Sequence, residues 1–326
     1  MHKRWFEPVV IIVVIFLLPM VILFWISGEN EGVIDETTVS GTTFSMVSTS
    51  VPEELMISVY TLDGSVYEME LNAYILGVLM AEMPADFEPD ALKAQAVVSR
   101  TYALKRNDGN PKHPGVVCTD ASCCQGYITV EEFLRNKGTQ EHIQKLKQAV
   151  LDTSNLVLVY NGELIEATYF SCSGGMTEDA VEVWGKEVPY LQATKSPGEE
   201  NATHYVDTVR ISVEELSDKL DIITNDNPQN WIGSITYTKG GGVKEMEIAG
   251  KIYSGTELRR LLGLRSTAFS LTIIGDTAVI TTSGFGHRVG MSQYGAEAMA
   301  VSGKTFDDIL YYYYTGTELM MYTNSW

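Results

Sequence analysis

The hydrophobic pattern of the chain begins with an uncharged, almost wholly apolar run from Val9 to Ile26, preceded by Lys3 and Arg4. A membrane-spanning helix needs roughly 20 apolar residues, and flanking cations mark its cytoplasmic side. The pattern therefore predicts one membrane helix within residues 1–28, with the rest of the chain outside the cytoplasm. A cleaved signal peptide is the alternative, but Trp25-Ile26-Ser27-Gly28 is a poor small-x-small cleavage site.

Beyond the apolar run, residues 29–52 are rich in Gly, Glu, Thr and Ser and show little periodicity. Such a composition is typical of a flexible tether. Apolar and polar residues then alternate on both sides of Asp63-Gly64, which predicts a hairpin of strands Met56–Tyr60 and Ser65–Leu71. The folded part of the chain should therefore begin near residue 53.

Two helices are predicted directly after this hairpin. Asn72 is a suitable N-cap for the first, which should end near Glu82 because Pro84 cannot continue an α-helix. Pro89, a favoured first-turn residue, should start the second. This second helix should end within the turn-forming residues 107–111.

The remaining sequence predicts a mixture of short strands and helices. A helix is expected at about residues 139–151, and Asn161-Gly162 is a strong type I′ hairpin signal. Short strands follow, with two short helices that each begin at a Ser-x-x-Glu capping box, one at Ser212 and one at Ser254. A last helix is expected near residues 305–313.

Together these elements predict an α+β fold. Its helical/β catalytic core comprises residues 53–208 and 283–326, and residues 209–282 form an inserted, smaller α/β lobe. The core is preceded by the transmembrane anchor (residues 1–28) and the tether (residues 29–52). With 326 residues, the chain is long enough for two lobes that each bury a core of their own.

The charge balance narrows the class of partner. The chain has 23 Lys and Arg against 42 Asp and Glu, a formal net charge of −19. A surface that follows nucleic-acid phosphates needs clustered Lys and Arg. A nucleic-acid partner is therefore not expected.

One carboxyl group is the first candidate for chemistry. Glu82 should lie at the end of an apolar helix, with Met80, Ala81, Met83 and Phe87 around it. Low-dielectric surroundings raise a carboxyl pKa toward the value that a general acid needs near neutral pH. The alternative is an exposed glutamate at a helix end.

Other candidates for binding occur on the second helix and in two glycine-rich segments. Seven positions separate Lys93 from Arg100, which places them on one helix face, where they form either a cationic wall or a solvated surface. The segment Tyr169 to Gly175, which includes Ser173, ends a strand in a glycine turn. The segment Ser283 to Ala296 combines His287, Gln293 and Tyr294 with glycines that allow close backbone approach.

Four of these segments together resemble a known family. They are A-E-M-P…A-L-K-A-Q-A…S-R-T-Y-A, the S-x-S-G-G turn, the run Val183-Trp184-Gly185…Val188-Pro189-Tyr190-Leu191, and G-H-R-V-G-M-S-Q-Y-G-A. In this order they are similar to the stage II sporulation protein D (SpoIID/LytB) family. The similarity covers roughly residues 56–319 and includes the order of anchor, tether, core and inserted lobe.

The resemblance implies a membrane-anchored lytic transglycosylase that cleaves the MurNAc-GlcNAc bond of peptidoglycan glycan strands during sporulation engulfment. Its catalyst would be Glu82, and the implied place is the mother-cell membrane at the engulfing septum. A cell-wall amidase and membrane sporulation proteins are the implied partners. Our candidates for glycan binding are Lys93, Arg100, Tyr169, Ser173, His287, Gln293 and Tyr294.

A short loop concentrates sulfur and nitrogen donors. His113, Cys118, Cys123 and Cys124 suit a closed, structural zinc site, and the resemblance implies a comparable loop. The alternative is a disulfide, either Cys118–Cys124 or a link to Cys172, since both are chemically reasonable outside the membrane. No cofactor is expected to take part in the chemistry itself.

A second function class stays open at this stage. The chain could instead be a peptidoglycan-binding module that stimulates a cell-wall amidase without cleaving glycan, as LytB-type relatives suggest. The role of Glu82 decides between the two.

Overall fold

The computed structural model describes residues 55–61, 63–109, 113 and 115–323. The predicted membrane helix and tether lie outside the described residues. Within the described part of the chain, no helix is both long and apolar enough to cross a bilayer.

The described residues form a mixed α/β structure, as predicted. The helices are α1 (Leu71–Glu82), α2 (Pro89–Gly109), α3 (Val130–Arg135), α4 (Gln140–Asp152), α5 (Ala180–Trp184), α6 (Val213–Leu220), α7 (Gly255–Leu262), α8 (Gln293–Val301) and α9 (Phe306–Tyr313). The strands are β1 (Met56–Tyr60), β2 (Val66–Glu70), β3 (Val117–Cys118), β4 (Leu156–Tyr160), β5 (Glu163–Leu164), β6 (Tyr169–Phe170), β7 (Val206–Ser212), β8 (Ile232–Tyr237), β9 (Val243–Ile248), β10 (Lys251–Ser254), β11 (Phe269–Ile274), β12 (Thr277–Ser283), β13 (Met291–Ser292) and β14 (Glu318–Met321).

Local sequence signals fix most of the element boundaries. The β1–β2 hairpin turns at Gly64, whose φ is +89°, and β4 and β5 are joined by Asn161 and Gly162, both with positive φ. The predicted first helix ends at Glu82 and the second begins at Pro89. These predictions are confirmed because the turn and helix-end residues act through their own backbone geometry.

Asn72 does not cap α1, so that prediction is wrong. The helix starts one residue earlier, at Leu71, and no side chain caps it. Asn72 instead lies inside the first turn, where its Oδ1 accepts a hydrogen bond from Arg100 at 3.2 Å. A long-range partner on α2 therefore replaces the local capping contact.

The sheets are small. Their strand orders are β2-β1-β3, β14-β4-β5, β10-β9-β8, β11-β12-β7 and a two-stranded pair β13-β6. In the β13-β6 pair, Met291 pairs with Tyr169 and Ser292 with Phe170 in parallel. This pairing joins the two glycine-rich segments of the sequence.

Buried apolar residues form two clusters. The larger includes the buried sides of α1, α2, α4, α9 and β4. The smaller lies between Leu216 and Ile280, within the segment predicted as the inserted lobe, and packs α6 and α7 against strands β9 to β12. Ser212 and Ser254 accept hydrogen bonds from the N–H groups of Glu215 and Glu257, so α6 and α7 begin where the capping signals predict.

Candidate functional site

A groove of about 640 Å³ opens beside the C-terminal end of α1. Its walls come from α1, α2, the cysteine loop, β6, α5 and the segment that leads into α8. The lining residues are Glu82, Tyr102, Arg106, Ala121, Ser122, Cys123, Cys124, Thr168, Tyr169, Phe170, Ser171, Trp184, Phe285, Gly286, His287 and Gln293. Segments far apart in sequence thus meet at one cavity.

Glu82 is half-buried at the end of α1 and faces this groove. Its Oε1 accepts a hydrogen bond from the Gly126 N–H at 2.7 Å. Burial raises the pKa of the carboxyl above its usual range, and the Gly126 N–H and the nearby side chains of Tyr169 and Gln293 lower it only in part. Glu82 therefore holds its proton at higher pH than an exposed glutamate does.

The residue that fixes Glu82 was not predicted from sequence. Gly126 contacts a residue 44 positions away, and nothing in its neighbourhood marks it. A Cβ at position 126 would lie 2.9 Å from Glu82 Oε1. The close approach of backbone to carboxylate therefore depends on glycine at this position.

Tyr169 lies next to Glu82 on the groove wall. Its hydroxyl donates to Gln125 Oε1 at 3.1 Å, and Gln125 Nε2 donates to the Ser99 carbonyl at 3.3 Å. This chain of bonds ties β6 to α2 through the residue that precedes Gly126. The Tyr169 ring is thereby held at the site together with the Glu82 carboxyl.

His287 lies across the groove, between two aromatic rings. Its ring centroid is 5.7 Å from that of Phe170 and 5.4 Å from that of Trp184. Nδ1 accepts a hydrogen bond from the Val289 N–H at 3.1 Å, so the proton of the neutral ring is on Nε2. Burial lowers the pKa of His287 to about 4, which makes it a neutral donor at physiological pH.

Gln293 and Tyr294 open α8. Gln293 is only 6% exposed, and its Nε2 has no hydrogen-bond partner among the described residues. Because a buried unpaired amide costs free energy, this group is a candidate ligand contact. Tyr294 lies outside the groove lining: its ring packs edge-on against Phe87 at 5.1 Å, and its hydroxyl lies 3.4 Å from Thr203 Oγ1.

Three of the predicted glycan-binding residues serve the fold instead of lining the groove. Lys93 forms an ion pair of 2.8 Å with Asp152. Arg100 is fully buried, donates to the Leu156 and Val150 carbonyls, and has a pKa lowered by burial to about 9. Ser173 is buried as well.

Ser173 belongs to a buried turn that Glu199 organises. The Ser173 N–H, the Ser173 hydroxyl and the Gly174 N–H all donate to Glu199 Oε2, at 2.7, 2.8 and 3.0 Å. Sequence inspection did not single out Glu199. Its carboxylate explains why a hydroxyl and glycines occur together in this turn without contacting the groove.

A buried ion pair stands directly behind His287. Arg288 has a φ of +66° and is 1% exposed. It donates to the carbonyls of Ser173, Met176 and Gly240 and to Glu178 Oε1. Four acceptors from separate segments thus fix the backbone that presents His287, and sequence inspection did not predict this either.

The cysteine loop brings three of its four predicted metal ligands together. Donor atoms of His113, Cys118 and Cys123 lie within 4.8 Å of one another. Cys124 is outside that group, although its Sγ is 4.0 Å from Cys123 Sγ. No disulfide joins the four cysteines in the described part of the chain, and Cys172 lies elsewhere, with its Sγ 3.6 Å from the His204 carbonyl.

Comparison with known proteins gives consistent matches. Residues 63–160 match the family model "Stage II sporulation protein". Stage II sporulation protein D of Bacillus subtilis (strain 168) is 40% identical over 270 residues, covering 81% of this chain and 78% of that protein. The Bacillus amyloliquefaciens protein of that name is 34% identical over 320 residues, with coverages of 94% and 92%.

A differently named relative is also similar. The "Amidase enhancer" of Bacillus subtilis (strain 168) is 31% identical over 301 residues, covering 76% of this chain but only 40% of that protein. The matches over most of both chains carry the assignment. On this evidence, the chain belongs to the stage II sporulation protein D family.

Proposed function

We propose that this protein is a lytic transglycosylase that cleaves the MurNAc-GlcNAc bond of peptidoglycan glycan strands during sporulation engulfment. The observation that carries this proposal is the position of Glu82. Among the described residues that line the groove, it is the only carboxyl group, and its pKa is raised by burial. Ordinary glycosidases flank the scissile bond with two carboxyl groups, so one acid favours a mechanism in which the sugar supplies the nucleophile.

In the first step, protonated Glu82 donates its proton to the oxygen of the glycosidic bond. The bond between that oxygen and the anomeric carbon of MurNAc breaks, and GlcNAc leaves with a free 4-hydroxyl. Positive charge develops on the MurNAc ring. A raised carboxyl pKa supports this step because a larger fraction of the enzyme carries the proton near neutral pH.

In the second step, the 6-hydroxyl of the same MurNAc attacks its anomeric carbon. The Glu82 carboxylate accepts the proton of that hydroxyl, so the enzyme returns to its starting protonation state and no water is consumed. The product carries a 1,6-anhydro end. The Gly126 N–H, 2.7 Å from Oε1, stabilises the carboxylate between the two steps.

Three further groups on the groove suit a glycan. Tyr169 and the Nε2–H of His287 are neutral hydrogen-bonding groups, and Gln293 offers a buried amide without a partner among the described residues. Trp184, 45% exposed, presents an aromatic face of the kind that packs against sugar rings. The proposed glycan site therefore omits Lys93, Arg100 and Ser173, whose contacts lie within the fold.

We further propose that residues 1–28 anchor the protein in the mother-cell membrane, so that the groove faces peptidoglycan. Membrane sporulation proteins and a cell-wall amidase are the proposed partners. The similarity to an amidase enhancer supports the amidase. It also favours the second candidate function, in which the chain binds glycan and stimulates the amidase without cleaving it.

Product analysis separates these functions. Purified protein is incubated with glycan strands, with and without a cell-wall amidase, and the products are identified by mass spectrometry. A lytic transglycosylase releases fragments with 1,6-anhydro ends when the amidase is absent. Fragments with reducing ends would indicate hydrolysis, and accelerated amidase turnover without any new glycan ends would favour the binding-module function.

The close contact at Gly126 provides a sharper test of the carboxyl. Gly126→Ala should lower the rate of glycan cleavage at least tenfold, because the added Cβ displaces Glu82 from the backbone N–H that orients it. Initial rates are compared with the unfolding temperature of the same variant. An unchanged rate in a folded variant would contradict the role given to this contact.

We propose that the cysteine loop binds a structural zinc ion. His113, Cys118 and Cys123 supply imidazole and thiolate donors, which are the ligands zinc prefers, and Cys124 is the nearest further thiol. Zinc would tie the loop together just before Gln125 and Gly126. The metal has no part in the two chemical steps above.

Cys118→Ser should remove the metal and loosen the loop. We expect about one zinc per chain in the native protein by elemental analysis, much less in the variant, and a lower unfolding temperature for the variant and for chelator-treated protein. Cys172→Ser is the matched control, because Cys172 lies outside the cluster. Equal zinc in Cys118→Ser and native protein would refute the site.

A further inference from the structure

One cationic side chain on the groove has no role in the steps above. Arg106 lies on α2, one turn after Tyr102, and both line the groove with Glu82. The groove's one histidine, His287, is neutral at physiological pH because burial lowers its pKa to about 4. Among the described lining residues, Arg106 is therefore the only one with a positive charge at neutral pH.

The fold does not saturate this guanidinium. Arg106 Nη2 donates to Glu166 Oε2 at 2.9 Å, and Cζ lies 5.1 Å from the centroid of the Tyr102 ring. The bond to Glu166 uses one of five N–H groups. Nε is buried without a partner among the described residues, while the side chain as a whole remains 30% exposed.

The charge of the whole chain makes a local cation significant. With a net charge of −19, the protein repels an anionic polymer at long range. An anionic ligand in the groove therefore needs a specific positive contact. Arginine is the side chain best suited to a carboxylate, because its planar N–H groups match the two oxygens.

The chemistry of the proposed substrate supplies such a carboxylate. Every muramic acid residue carries a lactyl ether whose carboxyl group is either free and negatively charged, or joined to a peptide as a neutral amide. We propose that Arg106 binds the free lactyl carboxylate of a muramic acid residue, so that the groove selects glycan strands whose lactyl groups carry no peptide. This inference rests on the proposed glycan substrate and adds the residue that reads it.

Binding by inactive full-length protein tests the inference without turnover. Glu82→Gln protein in detergent is titrated with three oligosaccharides of equal length: MurNAc-GlcNAc with free lactyl groups, the same compound with each lactyl group as an N-methyl amide, and a GlcNAc oligomer without lactyl groups. The free carboxylate should bind about 10- to 100-fold more tightly than either neutral ligand, as expected for a charge-assisted hydrogen bond.

Adding Arg106→Gln should abolish this preference and leave the affinity for the GlcNAc oligomer unchanged. Lys105→Gln is the matched control, because it changes the net charge equally on the neighbouring residue, which does not line the groove. The control should retain the preference. A salt titration should weaken the preference in the parent protein and have no effect on it in Arg106→Gln.

Two results would overturn the proposal. If Arg106→Gln weakens binding of the charged and neutral ligands equally, Arg106 merely supports the groove through Tyr102 and Glu166. If the preference survives Arg106→Gln, another group reads the carboxylate. A preference that depends on Arg106 in a protein that never cleaves glycan would refute the proposed reaction alone, so the two failures are distinguishable.

Discussion

Glu82→Gln should abolish release of 1,6-anhydro fragments from glycan strands, with a loss of roughly 10²- to 10⁴-fold in rate, as for other general acid/base groups. Glutamine has nearly the shape of glutamic acid but can neither donate nor accept the proton in either proposed step. Initial rates of fragment release measure the effect. A variant that retains more than a tenth of the native rate would exclude Glu82 as the proton carrier.

Stability provides the control for this variant. The folded pKa of Glu82 is raised, so its contribution to stability is present below the unfolded pKa and is lost as pH rises through the folded pKa. At neutral pH the buried carboxyl therefore opposes folding. Glu82→Gln should unfold at an equal or higher temperature than native protein at pH 7, and a clear decrease would mean that lost activity reports lost structure.

The pH dependence of the native enzyme has the same origin. The first step needs protonated Glu82, so the rate should fall as pH rises above the raised pKa of this carboxyl. His287 does not contribute a second transition near neutrality, because its pKa is lowered to about 4. A rate profile whose alkaline limb lies at the ordinary glutamate pKa, roughly 4.3, would contradict the burial of Glu82.

Arg288→Met should lower the free energy of unfolding by about 3–5 kcal/mol, the usual cost of removing one partner of a buried ion pair. The change leaves Glu178 charged and buried, and leaves the carbonyls of Ser173, Met176 and Gly240 without their donor. Glu178 also accepts from Thr238 Oγ1 and the Gly242 N–H, at 2.7 and 3.0 Å. Denaturant unfolding measures the loss.

A partly exposed ion pair supplies the comparison. Arg265 pairs with Asp207 at 2.8 Å, with both side chains about a third exposed, so Arg265→Met should cost no more than about 1 kcal/mol. The double variant Glu178→Gln/Arg288→Met should recover part of the stability lost in Arg288→Met, since no unpaired charge then remains. Equal losses for Arg288→Met and Arg265→Met would refute the special role of the buried pair.

Residue type and motif position were a poor guide to which polar residues contact the groove. Arg100 and Ser173 looked like ligands because a cation and a hydroxyl occur within motifs. In the structure Arg100 bonds to α4 and β4 backbone, and Ser173 bonds to Glu199. Buried polar groups must find partners within the fold, and such partners leave the same signature in a sequence as ligand-binding groups.

Short-range chemistry in the sequence determined where most elements begin and end. Pro84 and Pro89 separate α1 from α2, Asn161-Gly162 turns the β4–β5 hairpin, and the sequence placed Glu82 at a helix end, because each of these signals acts within a few residues. Only the tertiary structure decided what surrounds that carboxyl. Gly126, Tyr169 and Gln293 reach it from distant segments, and the burial that raises its pKa is a property of the packed chain as a whole.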